Sequence, residues 1–153
     1  MELSNSQVLR AVVALFKKRN KSQVTDESVN IKLFCTDVKY NSISEEVLSN
    51  ILENNICPFH FDPNHELKDC DDHALYTKLI SSAWARKKDY EHGPAVGIMI
   101  DTKHAMNICV DFKDGEAKAF VVDTTKKPTL FLGKIDLIES QIINEYPIRL
   151  VLF

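Results

Sequence analysis

Apolar residues recur at helical intervals through the first half of the chain and at alternate positions through the second. Val8 or Leu9, Val12, Val13 and Phe16 fall on one side of a helix, with Ser4, Asn5 and Ser6 ahead of them as capping residues, so an amphipathic helix is predicted over residues 5–19. The charged KKRNKSQ stretch behind it reads as a solvated turn. Ile31, Leu33 and Cys35 occupy alternate positions of a short strand with one buried face. A second helix is predicted behind Ser42, which precedes Glu45 at the spacing of a capping box, with Val47, Leu48, Ile51 and Leu52 as its buried stripe. Pro58 and Pro63 then enforce a loop. From Asp69 onward, Ala74, Leu75, Leu79, Ile80, Ala83 and Trp84 describe a helix buried along one side, and Cys70 lies in its first turn.

Four runs rich in Val, Ile and Phe follow, at 95–101, 104–112, 117–124 and 147–153, with a weaker one at 129–135. Helices first and strands afterwards imply an α+β domain, its N-terminal helices covering one face of a mainly antiparallel C-terminal sheet. With 153 residues, 44% of them hydrophobic, the chain has enough material for one core, and a single domain over 1–153 is expected.

Charge narrows the partners. Lys plus Arg number 19 against 22 Asp plus Glu, a net charge of −3, which sets up no field for phosphate backbones, so nucleic acid is not an expected partner. The opening MELSNSQVLR has neither the basic nor the apolar segment of a secretory signal, and no apolar run approaches the ~18 residues of a membrane span. A cytoplasmic protein without a membrane partner is the resulting expectation. The cysteines at 35, 57, 70 and 109 are too sparse for a disulfide framework, and Cys35 and Cys109, inside apolar runs, read as core.

The chemistry emerges from a turn. Asp114-Gly115 is a strong hairpin signal, because a type I′ turn needs positive φ. Closing the hairpin there pairs 112 with 117, 110 with 119, 108 with 121 and 106 with 123. Met106, Ile108, Val110 and Phe112 then share an apolar face with Val121, Ala119 and Ala117, while Asp111 and Lys118 mark the other face as solvated. His104 and Asp123 become diagonal neighbours on the apolar face, and Asn107 falls on the other as a structural residue. A helix laid over the apolar face would bring Cys70 to the same edge. Such a group suits thiol catalysis: Cys70 as nucleophile, His104 as its base, and Asp123 orienting the imidazole. The carboxylates of Asp69, Asp71 and Asp72 beside Cys70 oppose thiolate formation unless they point away or bind a cation, and they suit a hard oxygen site for Ca²⁺. A rival zinc site could draw on Cys57, His60, His65, Cys70 and His73, but their spacing has no recognised tetrahedral rationale.

Asp69-Cys70-Asp71-Asp72 at the start of a helix, the strand AVGIMID, His104-Ala105-x-Asn107 and the closing VVD together resemble a group of small papain-like cysteine-protease domains. That group includes phage and bacterial proteins with Asp-Cys-Asp-Asp-Phe-Ala and a later Gly-His-Ala-x-Asn, and the C-terminal protease domain of a mushroom agglutinin. The resemblance runs from about Ile31 to Phe153, which leaves 1–30 as a helical extension outside it. It implies a papain-like fold, a peptide or protein substrate, a Cys70, His104 and Asp123 triad, and, from the agglutinin, calcium dependence. Two positions depart from the pattern: Asp123 stands where the group has Glu, and His73 where it has an aromatic residue. An inert papain-like binding module, able to bind a divalent metal, is the alternative these departures favour.

Overall fold

The chain opens on a short strand, β1 (Glu2–Ser4), which runs directly into α1 (Asn5–Arg19). The computed structural model describes residues 1–19, 32–55, 57–58, 62–65, 69–100, 104–125 and 150–153. Within them follow β2 (Lys32–Phe34), β3 (Lys39–Asn41), α2 (Glu45–Asn54), α3 (Cys70–Lys87), β4 (Val96–Ile100), β5 (Ala105–Lys113), β6 (Glu116–Val122) and β7 (Leu150–Leu152). The weak run at 129–135 lies outside the described residues, as does His60. The architecture is α+β. β1 pairs antiparallel with β3, and a five-stranded sheet has the order β2-β7-β4-β5-β6, antiparallel except for the β2–β7 pair. Among the described residues no helix is long and apolar enough to cross a membrane.

The hairpin turn falls where its chemistry demands. Asp114 and Gly115 have φ of 56° and 82°, and the register pairs Ile108 with Val121, Val110 with Ala119 and Phe112 with Ala117. The start of α2 differs from the expectation. Ser44, not Ser42, caps it, accepting from the Val47 amide at 3.2 Å, while Ser42 stays at the end of the β1–β3 ribbon with its amide donating to the Met1 carbonyl.

Helices cover both faces of the sheet, not one. On the first face Val8, Val12, Leu15 and Phe16 of α1 pack on Met106, Ile108, Val110, Ala119 and Val121, so the segment before Ile31 contributes to a central core. On the second, expected to be solvated, Cys109, Phe120 and Val122 are buried under Leu48 and Ile51 of α2, with Ile80 and Trp84 of α3 packed against them. Asp111 and Lys118 mislead because they lie near the hairpin tip. Deeper in, β5 reads Ile-Cys-Val, apolar in both directions as in a sheet covered on each side.

The buried stripe of α3 also departs from the periodicity. His73, Ala74, Thr77, Ser81 and Ala85 face inward, while Leu75 and Leu79 are 56% and 64% exposed. Small side chains let a helix sit close to a sheet, and that close approach, which hydropathy does not encode, decides which side of α3 is covered.

Candidate functional site

Cys70 is the first residue of α3, behind an N-cap Asp69 whose side chain makes no capping hydrogen bond. Its Sγ accepts a hydrogen bond from the Ala105 amide at 3.2 Å. Ala105 begins β5, and the residue before it is His104, whose Nε2 lies 3.2 Å from Asp123 Oδ2 at the end of β6. Asp123 is almost fully buried, and its other oxygen accepts from the Thr125 amide at 3.0 Å and the Thr125 hydroxyl at 2.6 Å. His104 and Asp123 are therefore paired, and Cys70 Sγ is bonded to the residue that follows His104.

The route differs from the one expected. α3 crosses the Asn107–Cys109 face of the sheet, opposite the face that carries Met106, and reaches the site by its N-terminal tip. Asn107 holds it there: fully buried, its Nδ2 donates to the Ala74 carbonyl at 2.9 Å and the Gly97 carbonyl at 3.1 Å. A second tether runs from Lys78 Nζ to the Val96 carbonyl at 2.8 Å. A lone amide inside an apolar strand was the available signal for Asn107, and its link to the cysteine helix is what sequence reasoning missed. Asn107→Ala removes both donations and opens a small void, so a loss of about 1–3 kcal/mol is expected in urea unfolding, with Cys70 labelled faster by thiol reagents as α3 loosens.

The electrostatics of the site pull in two directions. Burial pushes the Cys70 thiol up, and the Asp69 and Asp71 carboxylates add to that; the Ala105 N–H acts the other way. The N-terminus of α3 also favours a thiolate at this position. Asp69 and Asp71 share a hydrogen bond, which holds Asp69 below the usual carboxylate range and lifts Asp71 above it. Burial acts to raise Asp123 as well, but hydrogen bonds from His104 and Thr125 outweigh it and hold the carboxyl at about 2.

Two groups of ligand-type side chains gather among the described residues. Asp69, Asp71 and Asp72 can each bring an oxygen within 4.8 Å of the others, and Asp69 Oδ1 and Asp72 Oδ2 are shielded from solvent without a hydrogen-bond partner. Orphaned carboxylate oxygens of this kind fit a hard cation. Glu2, Glu91 and His92 form the other group, but Glu2 already carries Lys39 at 3.1 Å. Neither group contains Cys57, His65, Cys70 or His73, the described members of the zinc alternative. A surface groove lined by Leu79, Ser82, Arg86 and Tyr90 lies toward the other end of α3, away from Cys70.

No family model matches the chain, and no curated protein matches it either. Solved structures do. The chain shares its fold with one described as the "PSL1a-E64 complex", with a TM-score of 0.69 and 17% identity. A Polyporus squamosus lectin bound to the human-type influenza-binding epitope Neu5Acα2-6Galβ1-4GlcNAc superposes with a TM-score of 0.66, again at 17% identity. Each alignment takes in 99% of this chain but only 50% and 49% of its counterpart, so the chain spans about half the length of the structures it matches. A mushroom lectin is thus a structural neighbour, in keeping with the agglutinin part of the resemblance. These alignments also include the segment before Ile31.

Proposed function

We propose that the chain is a papain-like thiol hydrolase that cleaves an amide bond in a peptide or protein. The observation that carries this reading is the pairing of buried Asp123 with His104, one residue along the chain from the amide that holds Cys70 Sγ. Each group has a role the chemistry needs. Cys70 Sγ, as thiolate, attacks the carbonyl carbon, and the electron pair of the C=O moves onto oxygen. The first-turn backbone N–H of Cys70 is the natural donor to that oxyanion. His104 then passes its proton to the leaving amine as the C–N bond breaks, leaving an acyl thioester on Cys70. In the second step His104 takes a proton from water, hydroxide adds to the thioester, and the carboxylic acid departs as Sγ is released. Asp123 keeps the imidazole oriented through both steps.

Asp69, Asp71 and Asp72 would hold a divalent cation such as Ca²⁺, whose charge would offset the carboxylates that now raise the thiol. Selective labelling tests the reading. E64, a thiol-directed epoxide, and iodoacetamide should modify Cys70 near neutral pH well before Cys57, and leave the fully buried Cys109 intact. Ca²⁺ should speed the reaction and EGTA slow it. Equal rates at Cys70 and Cys57 would sink the proposal.

The second reading is an inert module that keeps the fold for binding. A thiol raised by burial and by neighbouring acids favours it, and the lectin description of the structural neighbour fits it better than it fits hydrolysis. Unreactive Cys70 combined with retention on immobilised sialylated glycan would make this the correct description.

A further inference from the structure

Asp123 is buried, so its carboxylate depends on hydrogen bonds from the protein itself. A short side chain at a strand end has two torsions, and its carboxylate plane is free to turn unless something holds one oxygen. Thr125 supplies that hold twice over. Its backbone N–H donates to Oδ1 at 3.0 Å and its hydroxyl donates to the same oxygen at 2.6 Å, a short, charge-assisted contact. With Oδ1 tied back into the turn, Oδ2 is the oxygen presented to His104, at 3.2 Å from Nε2.

We propose that Thr125 is a positioning residue for the site: by clamping Asp123 Oδ1 it fixes the carboxylate plane and aims Oδ2 at the imidazole of His104. This deepens the thiol-hydrolase reading and rests on it for its consequence, although the clamp itself can be measured without it. The turn after β6, with one residue between acid and clamp, supplies this hold locally. The hydroxyl also keeps Asp123 ionised, since both bonds from Thr125 stabilise its charged form.

The experiment compares Thr125→Val, which removes the hydroxyl but keeps the branched shape and backbone N–H, with Thr125→Ser, which keeps the hydroxyl. Carboxyl ¹³C NMR follows the titration of Asp123, iodoacetamide reports Cys70 reactivity, and the thermal midpoint reports folding. Thr125→Val should move the Asp123 titration upward by about one pH unit and slow Cys70 alkylation about 3–10-fold, with Thr125→Ser restoring both to within about twofold. An Asp123 titration that stays put in folded Thr125→Val, or that Thr125→Ser fails to restore, overturns the proposal. Failure of the hydrolase reading shows separately, as Cys70 labelling that ignores His104→Ala; the Asp123 titration then still decides the clamp.

Discussion

His104→Ala is expected to slow alkylation of Cys70 by about 10²–10⁴-fold at neutral pH, the range for losing a positioned acid–base partner. The size of the effect follows from what surrounds the sulfur. Burial and the Asp69 and Asp71 carboxylates work against the thiolate, while the Ala105 N–H and the start of α3 work for it. Two neutral donors cannot match two anions and desolvation, so an imidazolium must supply the remaining stabilisation if the thiol is active. The variant should fold normally, because His104 precedes β5, is partly exposed and fills no core position. Rates measured with the native chain, with the variant, and with Cys57 as internal reference would settle the matter. A Cys70 rate within about twofold of wild type would mean that the histidine does not act on the sulfur.

Asp123→Asn should produce the second effect, a slowing of about 10–10³-fold, smaller than that of His104→Ala because the imidazole remains. Asparagine keeps the shape and can still accept from Thr125 with its oxygen. Its amide nitrogen then faces His104 Nε2, so a donor replaces an acceptor and the imidazole loses its orienting partner. The same substitution has a consequence for stability whose sign is fixed by linkage. Asp123 ionises at about 2 in the fold, below the ordinary carboxylate value of ~3.9, so it adds stability that is present above ~3.9 and lost as pH falls through about 2. That difference corresponds to roughly 2–3 kcal/mol. Urea midpoints of wild type and Asp123→Asn should therefore differ at pH 6 and converge near pH 2. A gap that stays constant across that interval would show that the buried carboxylate does not titrate as its hydrogen bonds require.

The parts of this site legible in the sequence were those set by local or alternating geometry. Asp114-Gly115 allows one tight turn, the two-residue side-chain period of a strand does the rest, and so the pairing of β5 with β6 followed from the chain itself. His104 and Asp123 were placed together by that register, and Cys70 was placed at the start of a helix, though not the face of the sheet which that helix crosses. What the tertiary structure decided is which face each helix covers. Leu75 and Leu79 of α3 give the hydropathy of a buried stripe yet stand in solvent, while Thr77 and Ser81 face inward beside the expected Ala74, because a close approach to β4 and β5 rewards small size and the polar tethers of Asn107 and Lys78 over greasiness. The shared hydrogen bond of Asp69 and Asp71 and the hold of Thr125 on Asp123 also appear only once side chains take their places. Periodicity encodes local conformation and register, which depend on neighbours in the chain; the choice of helix face and the aim of a carboxylate depend on distances between distant segments, and those exist only in the folded molecule.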